Sequence, residues 1–202
     1  MRFSFVVPHY DKSISDEVFL EGMESISKST YKDFEVLIYH DGPVSRPLPD
    51  IDHLDLNYKF KQTKKRYNDW GHTLRDAGIK EAKGEYIIHF NPDNLLDPNV
   101  LEEMSKINHD IIICPIIMEG VCRVGNELFR TRNTEDRVIL DGFPVARHNI
   151  DAMQLVMRRS MWLLYKGWYD KSEQSDGNMY QRFVSDNPGA TKWCGNIIGV
   201  HR

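Results

Sequence analysis

Two periods of hydrophobic and polar positions alternate along this 202-residue chain. Phe3-Ser4-Phe5-Val6-Val7 and Phe34-Glu35-Val36-Leu37-Ile38-Tyr39 are short apolar runs, the first halted at Pro8-His9-Tyr10 and the second at His40-Asp41-Gly42-Pro43. Such runs, rich in β-branched and aromatic residues and bounded by turn residues, predict strands. Between them Val18, Phe19, Met23 and Ile26 share one face of a helix spanning Asp16 to Ser29. After a proline-marked surface connection, Pro43 to Asp55, the pattern predicts a third strand at Leu56 to Phe60 and a helix at Trp70 to Ala82, with Gly84 ahead of the next strand. A helix at Pro98 to Ile107 and a strand at Asp110 to Met118 follow. The stretch Glu119 to Asn149 is irregular, with Val121 to Arg130 as a β hairpin. The remainder reads as a strand at Ile150 to Arg158, helices at Ser160 to Tyr165 and Asp176 to Asp186, and an extended segment from Trp193 to His201.

This alternation predicts an α/β fold. In open α/β sheets ligands bind beyond the carboxyl ends of the strands, so Pro8 to Tyr10, Asp41-Gly42 and Asn91 to Asn94 are expected to line one crevice. The last of these is the most informative. The apolar run Tyr86-Ile87-Ile88-His89-Phe90 ends in Asn91-Pro92-Asp93-Asn94, which sets several oxygen-bearing side chains at a strand tip. Hard cations such as magnesium or manganese take oxygen ligands of this kind. The same residues also end strands for local reasons, as a plain turn.

Length and composition narrow the class. The chain suits one well-buried α/β core, a single domain. A net charge of −4 argues against nucleic-acid binding through a broad positive field. Lys59, Lys61, Lys64, Lys65 and Arg66 form one local basic cluster, read as a solvated face or as a contact for phosphate. Three cysteines without a Cys-x-x-Cys pair fit a reducing compartment, and with no signal-like or bilayer-length apolar run the expected location is cytoplasmic, with no transmembrane segment. The sequence leaves room for a homo-oligomer.

The motifs and their order resemble a known family. Val7-Pro8-His9-Tyr10, then Tyr39-His40-Asp41-Gly42, then Asn68-Asp69-Trp70-Gly71 with Arg75-Asp76-Ala77-Gly78-Ile79, then Gly84-Glu85-Tyr86 through Asn99, look like the nucleotide-sugar half of family-2-type glycosyltransferases of GT-A fold. In the second half Gln154 to Arg159, Lys166-Gly167-Trp168-Tyr169-Asp170 and Ser175-Asp176-Gly177-Asn178 resemble that family's acceptor-side segments more loosely. The resemblance implies a GT-A, Rossmann-like mixed central sheet flanked by helices, with residues 1–99 binding the nucleotide sugar and 100–202 the acceptor. It implies a metal-dependent, inverting transfer of a sugar from a UDP-sugar to a hydroxyl of a glycan or other glycoconjugate.

Residue by residue, the resemblance gives Asp93 the place of the second acid of an Asp-x-Asp motif and hence the ligation of Mn2+ or Mg2+. Asn91 stands where the first acid is usual; its amide oxygen can still coordinate the metal or hydrogen-bond the ribose, but it brings no charge. His201 resembles a late histidine that reaches the metal, and reads equally as a frayed terminal residue. Asp41 is expected to accept the uracil imide N–H, with Pro8, His9 and Tyr10 shaping the nucleoside pocket, although His9 and Tyr10 also suit core or rim positions. Asn68, Gly71 and Arg75 would lie near the ribose or diphosphate, beside Pro92. Arg75 alternatively forms a surface ion pair with Asp76 or Glu81. Asp176 occupies the position of the catalytic base, with Glu173 as runner-up and Ser175 replacing the usual acid. As an aspartate at a helix start, Asp176 also suits capping. Trp168, Tyr169 and Trp193 read as sugar-stacking or core aromatics. Two other classes stay open: a sugar nucleotidyltransferase, and a non-catalytic sugar-nucleotide-binding subunit suggested by Asn91 and Ser175.

Overall fold

The computed structural model describes residues 1–125, 127–131, 133–146 and 148–202. The first half follows the apolar pattern closely. Strand β1 (Phe3–His9) leads into α1 (Asp16–Ser27), whose amino end is capped by Ser15 Oγ accepting from the Val18 amide at 3.3 Å. Then come β2 (Phe34–His40), β3 (Tyr58–Gln62), α2 (His72–Glu81), β4 (Tyr86–His89) and the two-residue β5 (Leu95–Leu96). The second half adds α3 (Val100–Ser105), β6 (Ile111–Ile113), β7 (Ile116–Glu119), the hairpin β8 (Val121–Val124) and β9 (Glu127–Arg130), and β10 (Arg137–Leu140). Strand β11 (Leu155–Arg158), α4 (Arg159–Leu164), α5 (Ser175–Asp186), β12 (Thr191–Trp193) and β13 (Gly199–His201) complete it.

Among the described residues the main sheet has seven strands in the order β12-β6-β11-β4-β1-β2-β3. Strands β4, β1, β2 and β3 run parallel, while β11 is antiparallel to both of its neighbours, so the sheet is mixed. The one-residue alternation along β1 sends Phe3, Phe5 and Val7 to one face, against Phe19, Met23 and Ile26 of α1 and Val100, Leu101 and Met104 of α3. Val6, with Leu37 and Ile87, faces the other side, where Leu74 and Ile79 of α2, Trp162 of α4 and Met179, Tyr180 and Phe183 of α5 cover it. Each of these fully buried side chains contributes about 1.5–3 kcal/mol.

Three predicted elements differ from the structure. The run Asp110 to Met118 is two strands, because Pro115, lacking an N–H, ends the ladder of β6 and lets β7 leave for a second sheet of order β10-β7-β13-β5. Only Leu155–Arg158 of the stretch Ile150 to Arg158 is strand: Asp151 Oδ1 accepts from the Met153 amide at 2.9 Å and Gln154 Oε1 from the Asp151 amide at 2.8 Å. These local bonds turn the chain before the sheet begins. The segment Trp193 to His201 is likewise split between β12 in the first sheet and β13 in the second. No described helix is long and apolar enough to cross a membrane.

Candidate active site

Strands β1, β2 and β4 end side by side, and their carboxyl ends open into a crevice of about 500 Å³. Its lining brings Pro8, His9 and Tyr10 together with Asp41, with Asn68 and Gly71, and with Asn91, Pro92 and Asp93. Ser13, Ile14, Arg66, Trp70 and Leu74 complete the wall. The expected nucleotide residues are thus gathered in one place except Arg75, which is buried outside the lining and reaches it only through Asn91.

Asp41 is buried, and its carboxylate organises one wall. Oδ1 accepts from the Tyr67 amide at 2.7 Å and Oδ2 from the Asn68 amide at 2.9 Å. Arg66 lies 3.9 Å over the Tyr10 ring and donates to Asn68 Oδ1 at 2.7 Å. Tyr10 is therefore a rim residue, whereas His9 is buried between Phe19 and His40. Burial, with His40 beside it, pushes His9 down to about 4, so its imidazole is neutral at physiological pH.

The opposite wall is the turn after β4. Gly22 of α1 packs against it so closely that a Cβ there would stand 2.1 Å from the Pro92 carbonyl oxygen. Arg202 Nε donates to the Asp93 carbonyl at 2.7 Å, which fixes the turn from the other side. Asn94 points away from solvent and donates to Met153 Sδ at 3.3 Å, so it shapes the turn.

Arg75 is buried rather than paired on the surface: Asp76 meets Lys80 and Glu81 meets Lys61. Its Nη2 donates to Asn91 Oδ1 at 2.6 Å, and its guanidinium lies 5.1 Å from the Trp168 ring. A buried cation here meets a neutral amide; burial pulls its pKa down, and the charges of Asp151, Asp176 and Asp93 oppose that. Trp168 is fully buried, stacked between His72 and Trp162, which makes it a core residue. Ser175 is buried too, accepting from Trp168 Nε1 at 3.2 Å.

A smaller cavity of about 190 Å³ is lined by residues of the second half of the chain, with Met118, Leu128, Leu140 and Ile150 as apolar lining and Asp151, Glu173 and Asp176 as its acids. Asp176 stands in the first turn of α5 but does not cap it. The cap position is Gln174, and Asp176 Oδ1 accepts from the Gly177 amide at 2.7 Å. Burial, reinforced by the charge of Asp151, raises Asp176 to about 6. Glu173 is exposed on the rim of the same cavity. His201 is not frayed: it ends β13, and its Nδ1 lies 3.1 Å from Asp151 Oδ2. Burial opposes its charge, but Asp151 outweighs burial and holds the imidazole above its ordinary pKa.

Arg66, Trp70 and Asp151 were missed by residue-level reading of the sequence. Arg66 belongs to the basic cluster and Trp70 to the Asn68–Gly71 motif, so both carried a signal. Asp151 carried none, since it was expected inside a strand. Among the described residues no three His, Cys, Asp or Glu side chains gather as a metal site. Asn91 Oδ1 accepts from the Arg75 guanidinium, and His201 turns Nδ1 toward Asp151, with its Nε2 3.4 Å from Arg130 Nη2. Of the three candidate ligands Asp93 is the one carboxylate, on the crevice wall, and a lone carboxylate suits a cation that completes its shell with other oxygen ligands.

Comparison with known proteins agrees with this geometry. The chain is 27% identical over 164 residues to an uncharacterised glycosyltransferase of Rickettsia bellii, covering 76% of this chain and 23% of that one. It is 29% identical over 112 residues to the uncharacterised glycosyltransferase YwdF of Bacillus subtilis, covering 52% and 38% respectively. The chain therefore spans well under half the length of these relatives. Among solved structures, S. aureus TarS 1–349 in complex with UDP-GlcNAc matches with a TM-score of 0.73 at 15% identity, covering all of this chain and 59% of that one. The mannosyltransferase PcManGT of Pyrobaculum calidifontis, in complex with GDP-Man and Mn2+, matches with a TM-score of 0.67 at 11% identity, covering 99% and 56%. The fold is that of GT-A glycosyltransferases, and the family model for glycosyl transferase family 2 matches residues 4–164: the chain belongs to glycosyl transferase family 2.

Proposed function

We propose that this chain transfers a sugar from a UDP-sugar to a hydroxyl of a glycan or glycoconjugate, with inversion at the anomeric carbon. The observation that carries the reading is the convergence of Pro8–Tyr10, Asp41 and Asn91–Asp93 on one nucleotide-sized crevice at the ends of three adjacent strands. Residues 1–99 would bind the donor and residues 100–202 the acceptor. Asp41, anchored by the Tyr67 and Asn68 amides, keeps lone pairs for the uracil imide N–H. Pro8 and Tyr10 flank the nucleoside.

Asp176 acts as the general base. As an acceptor oxygen attacks the anomeric carbon, its proton passes to the Asp176 carboxylate, the bond from that carbon to the phosphate oxygen breaks, and the electron pair leaves with UDP. Its pKa near 6 leaves it ionised at neutral pH yet basic enough to take the proton. Glu173, exposed, is the less favoured base. Negative charge builds on the diphosphate, and Arg75 lies close by as a permanent cation. A divalent cation, Mn2+ or Mg2+, held by Asp93 and the phosphates would add Lewis-acid stabilisation there. Asn91 and His201 would flank it, each already engaged with another side chain. The TarS and PcManGT complexes with nucleotide sugars, the latter with Mn2+, support this class of donor.

Release of UDP from a panel of UDP-sugars, by the chain and by Asp176→Asn, tests the reading. Turnover falling about 10²- to 10⁴-fold in the variant is expected for loss of a base. Undiminished turnover in the variant would remove Asp176 from the reaction.

A further inference from the structure

Trp70 combines two properties that a folded chain ordinarily avoids. Its side chain is 61% exposed, and its φ is +54°, a left-handed conformation that bulky residues rarely adopt. Two neighbours share that conformation at no comparable cost: Asn68 at φ +54° tolerates it through its short polar side chain, and Gly71 at φ +79° has no Cβ to clash. Tryptophan has neither excuse. Burial cannot account for it, since most of the ring is in water.

The segment that holds Trp70 is anchored on both sides of it. A Cβ on Gly71 would stand 2.6 Å from Pro8 Cβ, so the backbone is pressed onto the end of β1. Asp69 Oδ2 accepts from the Thr73 amide at 3.0 Å and the Thr73 hydroxyl at 2.5 Å, and its carbonyl accepts from the His72 amide at 3.0 Å. A strained, anchored backbone thus presents a large aromatic face at the wall of the donor crevice. Strain of this kind concentrates where function fixes a side chain.

Its location within the crevice narrows the ligand. At the base end Tyr10 already supplies a flat partner, with Arg66 over it. Trp70 stands on the side toward the acceptor half: its ring centroid is 6.0 Å from that of His72, whose Nε2 lies 2.9 Å from the Ser172 carbonyl in the loop leading to Asp176. The part of the donor that must approach Asp176 is the glycosyl ring. We infer that Trp70 is the platform on which the transferred sugar rests, through contact of the sugar's C–H face with the indole, and so a specificity-determining residue. The inference rests on the donor-site reading above.

The test pairs binding with stability. Calorimetric titration of UDP, UDP-glucose, UDP-galactose and UDP-GlcNAc is run on wild type, Trp70→Phe and Trp70→Gly, with thermal unfolding of each. For the sugar nucleotide that wild type binds best, Kd is expected to rise about tenfold in Trp70→Gly, while Kd for UDP changes less than twofold and Trp70→Phe retains most of the affinity. Relief of the positive φ should leave the Gly variant melting at or above wild type. Equal changes for UDP and the sugar nucleotide, no change in either, or wild-type binding of UDP with none of the sugar nucleotides would overturn the inference. So would a Gly variant melting well below wild type, which would mark Trp70 as a packing residue. If wild type binds neither UDP nor any UDP-sugar, the donor-site reading itself fails, and that result is distinct from these.

Discussion

Replacing Asp176 with asparagine should harm turnover and strengthen the fold. In the folded chain the carboxylate is largely buried beside Asp151, which raises it from an ordinary 3.8 to about 6. A folded-state pKa above the unfolded one means that the protonated form is favoured by folding, so stability is fully present below the unfolded value and is lost as pH rises through about 6. At 1.36 kcal/mol per pH unit, holding the ionised group in place at neutral pH costs about 3 kcal/mol, an upper figure for a site that water can relax. Asp176→Asn keeps the shape and an oxygen that can accept from the Gly177 amide. Thermal unfolding followed by circular dichroism should therefore find the variant melting several degrees above wild type at pH 7.5, at about 2–4 °C per kcal/mol for a chain of this size. By pH 4 the two should nearly coincide. The wild-type pH–rate profile should fall on the acid side with an apparent pKa near 6. A variant melting at or below wild type at pH 7.5 would show that the carboxylate is not held at an electrostatic cost, and the case for a tuned base would fail with it.

Asp41→Asn leaves one oxygen facing two amides and removes the charge that strengthens both bonds, so the Kd for UDP should rise about 10- to 100-fold by calorimetry. Gly22→Ala drives a Cβ toward the Pro92 carbonyl and should cost about 1–3 kcal/mol in denaturant unfolding, with weaker UDP binding as the Asp93 turn shifts. His201 has a raised pKa, so its pairing with Asp151 stabilises the fold below the ordinary histidine value and loses that contribution as pH rises through the folded one. The stability gap between wild type and His201→Gln should accordingly be larger at pH 6 than at pH 9.

Much of the first half was legible because its signals are local. Apolar runs in β1, β2 and β4 are halted by Pro, Asp-Gly and Asn-Pro-Asp, so the residues that end each strand are also those that line the crevice. Arg75 was harder to place: the sequence puts acids at 76 and 81 beside it, and only the turn of α2 reveals that those acids meet lysines while Arg75 faces inward to Asn91. In the second half the signals are long-range. Asp151 meets His201 across fifty residues, and β7 and β13 pair in a second sheet that no local period announces. Trp168 offered an aromatic beside a Gly, which suits a sugar platform and a core residue alike, and packing against Trp162 and His72 decides for the core. Trp70, overlooked within its motif, stands exposed at the crevice wall.

The most direct test of the central claim is calorimetric titration of UDP into wild type and Asp93→Ala, with and without Mn2+. UDP binding is expected to strengthen with the metal in wild type and to lose that gain in the variant, because Asp93 is the carboxylate proposed to share the cation with the diphosphate. No UDP binding to wild type under either condition would contradict the donor site and, with it, the proposed glycosyl transfer.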